Sequence, residues 1–217
     1  MSTAHPLHDA LPGTVHRADK IAQLAAVASP DASACIWRRT PDPAARAFAE
    51  AAAARPVSIT TVIAPGRIRD LADALPDLDG RDAFIADLAQ LCDLYETLVG
   101  PAALGVRLQS LDTPMCPRFH VDRVTLRLVC TWCGPGTEIL DDPFADRSLL
   151  GAGSGGVDDQ ASGLIRAPAR LVSAAPGDVV LLKGERWPDN EGRGVIHRSP
   201  HRPGRRLLFS LDALSEA

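Results

Sequence analysis

His120 and Asp122, in the run Cys116-Pro-Arg-Phe-His-Val-Asp122, are the residues whose types and spacing best suit chemistry. Side chains alternate along an extended chain, so a histidine and a carboxylate two positions apart project to the same face. Such a pair supplies two ligands of a two-histidine, one-carboxylate facial triad, the donor set that leaves positions open on a non-haem Fe(II) ion. The third ligand would be a second histidine on a later strand, and His197 in Gly194-Val-Ile-His-Arg-Ser-Pro200 offers it.

The flanking elements must bring these residues together. The His-x-Asp pair feeds into the apolar run Val124–Cys133, whose even-numbered residues Leu126, Leu128, Cys130 and Trp132 share its parity. They are expected to face the same interior. Pro176-Gly-Asp178 is a turn that launches the strand Asp178–Lys183, and Val195-Ile-His197 and Arg205–Leu211 flank a Pro/Gly turn that reads as a hairpin. In that hairpin residue 197 lies opposite 206. The planar fork of Arg206 suits two-point capture of a carboxylate. Arg205 has the opposite parity and would take that place only across a bulge.

Further strands are expected at Gly105–Leu111, Ala169–Ser173 and Arg205–Asp212, which together suggest a double-stranded β-helix of the jelly-roll or cupin-like kind over residues 101–217. Residues 1–100 read as an Ala-rich, mainly helical region packed on that barrel. Its clearest helix is Arg81–Gly100, with Phe84, Leu88, Leu91, Tyr95 and Leu98 at three- and four-residue steps. Pro41–Ala54 is a second helix, and β-branched Val57–Ile63 is a strand. The fold class expected is therefore α+β, in one compact unit. The stretch Phe144–Pro168 has no apolar period and is long for a loop, a length typical of lids or disordered segments.

The order His-x-Asp, His, then Arg nine residues on resembles the Fe(II)/2-oxoglutarate-dependent oxygenases. The resemblance implies that His120, Asp122 and His197 hold Fe(II), and that Arg206 anchors the distal carboxylate of 2-oxoglutarate. A polar partner for that co-substrate would fall to Thr131, Lys183 or Ser210, the last sharing the parity of Arg206. The local wording Cys-Pro-Arg-Phe-His-Val-Asp, Gly-Pro-Gly-Thr-Glu138 and His-Arg-Ser-Pro200 is also similar to an uncharacterised bacterial family, number 1826 among the domains of unknown function. That resemblance carries an association with metal homeostasis but no established reaction.

Other readings of the same residues stay open. His120 and Asp122 could make ordinary hydrogen bonds at a loop–strand junction, and His197 could be a satisfied rim histidine. A zinc cluster could draw on Cys116 or Cys133, although a flat strand would point Cys130 and Cys133 to opposite faces. His201 could replace His197 if the hairpin slipped by register. His5, His8 and His16 fall in an N-terminal stretch that reads as flexible and carry little weight.

Composition narrows the functions further. The net charge of −4, with 21 arginines against two lysines (Lys20 and Lys183), gives no footprint for nucleic acid or an anionic membrane and fits a GC-rich bacterial genome. No cationic-then-apolar leader and no apolar run of about 18 residues appears, so a cytoplasmic protein with reduced cysteines is expected. Gly134-Pro-Gly136 lacks the helix and Lys-Ser/Thr of a phosphate loop, and no Gly-x-Ser-x-Gly elbow is present.

Overall fold

Asp42 starts the first helix by accepting hydrogen bonds from the amides of Ala44 and Ala45, and Pro43 presets the first turn; α1 then spans Pro43–Ala53. The second, α2 (Arg81–Val99), ends at Gly100, whose left-handed backbone (φ 59°, ψ 51°) closes the last turn. Both match their sequence expectation. The computed structural model describes residues 14–168 and 171–214. His5 and His8 therefore lie outside the described residues.

Among the described residues there are ten strands: β1 (Thr14–Ala18), β2 (Ala32–Trp37), β3 (Ser58–Ile63), β4 (Ala103–Leu111), β5 (Leu126–Thr131), β6 (Glu138–Leu140), β7 (Leu171–Ser173), β8 (Val179–Lys183), β9 (His197–Arg198) and β10 (Arg206–Leu214). A seven-stranded sheet runs β1-β2-β8-β5-β10-β4-β3, and a three-stranded sheet runs β7-β6-β9. From β4 onward the chain passes repeatedly between the two sheets. His120, between β4 and β5, joins the small sheet by an antiparallel bridge to His197. Within the large sheet β8, β5, β10 and β4 are all antiparallel neighbours. That alternation is the double-stranded β-helix.

The helices cover the outer face of the large sheet. Phe48 of α1 stacks on Phe84 of α2 at 4.8 Å, Phe84 meets Trp132 edge-on at 4.8 Å, and Trp132 meets Phe209 at 6.0 Å. Tyr95 ties α2 to the sheet, donating to the Leu126 carbonyl at 2.6 Å and accepting from the Ala213 amide at 2.8 Å. Leu126, Leu128, Cys130 and Trp132 all belong to this helix-facing core. They are buried as expected, but on the helix side of the sheet, so they do not share a face with His120 and Asp122. Residues 122–125 leave the extended path before β5 begins, so parity is not carried from Asp122 into the strand.

β9 pairs with β6 in the small sheet, whereas β10 pairs with β4 and β5 in the large one. The Pro/Gly segment between them is a crossover, not a hairpin turn, and 197 is not a cross-strand partner of 206. The mainly helical reading of residues 1–100 holds for α1 and α2, and β3 was expected, but β1 and β2 extend the large sheet beyond β8. The 144–168 stretch folds as short 3-10 turns closed by an Ala145–Ile165 bridge.

Candidate metal centre

The two histidines share backbone hydrogen bonds in both directions: each amide donates to the other residue's carbonyl at 3.0 Å. This brings the imidazoles together, with ring centroids 4.5 Å apart. His120 Nδ1 lies 2.9 Å from the Arg118 carbonyl and His197 Nδ1 lies 3.0 Å from the Val195 carbonyl. A carbonyl only accepts, so each Nδ1 carries a proton, and in the neutral ring each Nε2 is left to present its lone pair. Both Nε2 atoms converge on Asp122, His197 at 3.2 Å and His120 at 3.8 Å. One ligand atom from each of the three residues lies within 4.8 Å of the others, and among the described residues this is the group that could hold a metal ion.

Asp122 is fixed from behind. Arg127 Nη1 donates to its Oδ2 at 2.8 Å, while Arg127 Nε and Nη2 grip both oxygens of Asp212 at 2.7 Å. Burial alone would raise the Asp122 pKa, but the hydrogen bond and charge it receives when His197 is protonated on both nitrogens, together with the Arg127 guanidinium, outweigh it and hold the carboxyl at about 2. Burial, and then the neighbouring His197, lower the pKa of His120. The site thus presents an ionised carboxylate and favours a neutral His120, which is what a divalent ion requires. Sequence reasoning missed Arg127. Its signal was a single charge in the apolar run Leu-Arg-Leu-Val-Cys130, which demands a carboxylate partner once buried.

The segment bearing His120 is pinned on its other side as well. The Asp159 carboxylate accepts from the Phe119 amide at 2.8 Å and from Arg118 Nε at 3.3 Å. Arg118 also donates to Ser154 Oγ at 2.7 Å and to the Val157 carbonyl. Arg198 stacks its guanidinium 4.2 Å over the Phe119 ring and donates to Glu138 at 2.8 Å. The 144–168 segment is therefore tied directly to the residues beside both histidines.

A cavity opens beside the triad, lined by His120, Arg127, His197, Arg206 and Ser210 among others. Arg206 is buried and donates to the Thr113 carbonyl at 3.0 Å. Burial, with no neighbouring carboxylate, lowers its pKa from the usual arginine value. Thr131 is buried but does not line the cavity. Lys183 points to the other face: its Nζ donates to the Ser29 carbonyl at 2.7 Å and sits 5.1 Å over the Trp187 ring. Odd positions of β8 face the helices, as Val179 and Leu181 do. Cys116 lines the cavity without joining the triad, Cys133 contacts the Ala49 carbonyl at 3.8 Å under α1, and His201 is exposed in a turn.

The strands form a double-stranded β-helix that carries a two-histidine, one-carboxylate group. The chain belongs to the family described as protein of unknown function (DUF1826), whose model matches residues 18–212. Its structure is similar to the dioxygenase for auxin oxidation from rice, at 15% identity and a TM-score of 0.51, covering 94% of this chain and 83% of that one. It is also similar to a Pseudomonas putida prolyl-4-hydroxylase (13% identity, 91% and 100% covered, TM-score 0.49). A third neighbour is an oxidoreductase of the 2OG-Fe(II) oxygenase family from Burkholderia pseudomallei (11% identity, 92% and 94% covered, TM-score 0.48). No curated protein matches the sequence. Among the described residues no helix is long and apolar enough to cross a membrane.

Proposed function

We propose that this protein is an Fe(II)/2-oxoglutarate-dependent oxygenase that hydroxylates or demethylates a substrate bound beside the 144–168 segment. The observation that carries the reading is the convergence of His120 Nε2, His197 Nε2 and the Asp122 carboxylate, with each Nδ1 committed to a backbone carbonyl. Two imidazoles and one carboxylate leave positions open for a co-substrate and O₂, and activation of O₂ is the chemistry that Fe(II) supplies there when bound. Arg206 is the anchor for the distal carboxylate of 2-oxoglutarate, because it is a buried guanidinium facing the same cavity with no carboxylate of its own. Ser210, on the same face of β10, supplies a hydroxyl beside it. Thr131 and Lys183 have no part in the proposal, and among the described residues no thiol joins the ligand set.

The test is anaerobic Fe(II) titration with and without 2-oxoglutarate. The expected result is one equivalent of Fe(II), abolished in His197→Ala, and a visible metal-to-ligand charge-transfer band on adding 2-oxoglutarate. In Arg206→Gln that band should need roughly tenfold or more 2-oxoglutarate, the loss of one charge-assisted pair. Bound Fe(II) with no band would eliminate the co-substrate and leave the metal site.

A further inference from the structure

We propose that the substrate of this site carries an oxyanion, a carboxylate or a phosphate, and that Arg107 binds it; the proposal rests on the oxygenase reading above. Four arginines line the cavity (Arg107, Arg127, Arg198 and Arg206), and no aspartate or glutamate does. Two of the four are already answered. Arg127 holds both oxygens of Asp212 at 2.7 Å, and Arg198 holds Glu138 at 2.8 Å. Arg206 is reserved for the co-substrate.

Counting charge isolates the remaining residue. A divalent metal, the Asp122 carboxylate, the two carboxylates of 2-oxoglutarate and Arg206 sum to zero. Among the described residues Arg107 then remains as the uncompensated cation of the cavity lining. Its contact is Met115 Sδ at 3.8 Å, a weak acceptor that positions the guanidinium without neutralising it. Among the described residues no carboxylate forms an ion pair with it.

Position explains why this charge serves a second ligand. Arg107 on β4 pairs directly across from Ser210 on β10, so it shares the cavity face with Ser210 and Arg206. Arg206 is buried, whereas Arg107 is exposed. One cation therefore stands deep in the cavity and another at its mouth, where an incoming substrate passes. A cationic cleft also raises the local concentration of anions and their rate of entry. The fork geometry of arginine fits both carboxylate and phosphate.

The experiment uses protein loaded with Zn(II), a redox-silent stand-in for Fe(II), and saturated with 2-oxoglutarate so that Arg206 is occupied. Benzoate, inorganic phosphate and the neutral benzamide are titrated by ligand-observed NMR. Benzoate or phosphate should bind and benzamide should not, and the better anion identifies the oxyanion preferred. Arg107→Gln should weaken the anion about tenfold while leaving 2-oxoglutarate affinity unchanged, and Arg107→Lys should recover part of the loss. Equal binding of benzoate and benzamide, binding of neither anion, or an unaltered Arg107→Gln protein would overturn the proposal. So would loss of 2-oxoglutarate in Arg107→Gln, which would make Arg107 a co-substrate residue. If the wild type takes up no 2-oxoglutarate, the oxygenase reading fails separately. The Arg107 assignment then stands on anion binding that Arg107→Gln removes and Arg206→Gln does not.

Discussion

Arg127 is the residue on which the geometry of Asp122 depends. It is bound on two sides, to Asp212 through Nε and Nη2 and to Asp122 through Nη1, so the carboxylate cannot rotate freely toward its histidines. Replacing Arg127 by glutamine removes the charge that helps keep Asp122 ionised and leaves Asp212 without its partner. Outer partners of metal ligands typically contribute about 10–100-fold in metal affinity, and a loss of that size is expected here. Competition titration against a metal-sensitive dye measures it; an affinity equal to wild type would show that Asp122 is held by its backbone alone. The ligand residues could be named from sequence because histidine and carboxylate at two-residue spacing advertise themselves. For Arg127 the apolar run signals only that some carboxylate must meet it, because its partner Asp212 lies 85 residues away and only pairing of β5 with β10 joins them.

At the scale of elements, the end of β8 sets the path of the His-x-Asp segment. The amides of Gly184, Glu185 and Arg186 donate to the carbonyls of Thr125, Asp122 and Val124 at 3.0, 2.9 and 3.1 Å. That approach is possible only without a side chain at 184: a Cβ there would stand 1.9 Å from the Val124 carbonyl oxygen and 3.0 Å from the Asp122 carbonyl oxygen. Gly184→Ala must therefore push residues 122–125 away from β8 and carry the Asp122 carboxylate with them. The expected outcome is a folded protein whose metal affinity falls by about tenfold or more, read by the same titration with circular dichroism confirming the fold. Unchanged affinity would mean that Asp122 is positioned independently of β8. These contacts also account for the sequence-level error in parity. Periodicity predicts a face only while the chain stays extended, and the pinned segment breaks that continuity between Asp122 and Leu126. The misread hairpin has a similar cause, since Pro200 and Pro203-Gly204 mark a change of direction without specifying which sheet receives the next strand.

Across the whole molecule, the large sheet must hold its helical cover while its other face carries the metal centre, and one buried ion pair joins the layers. Arg39, just after β2, donates to both oxygens of Asp87 on α2 and from Nε to the Gly177 carbonyl at 3.0 Å. Trp132, just past β5, donates Nε1 to the same Asp87 at 2.8 Å. Both charged side chains are only 7% exposed. β2 itself escaped the sequence reading because Ala-Ser-Ala-Cys-Ile-Trp37 has no alternation to see; it is a strand buried by neighbours on both faces, and only long-range pairing with β8 reveals it. Asp87→Ala would strand the Arg39 guanidinium in a dry environment and leave the Trp132 indole N–H without its acceptor. Breaking one side of such a pair typically costs about 3–5 kcal/mol, a large share of the 5–15 kcal/mol by which domains are stable. Urea unfolding followed by tryptophan fluorescence should show a midpoint lowered accordingly, with Asp87→Asn less damaging because an amide still accepts from Trp132. Because Asp87 lies on the helical face and the triad on the other, the folded fraction of Asp87→Ala should bind Fe(II) as wild type does. A metal affinity that falls together with stability would instead make the two faces of the sheet one cooperative unit.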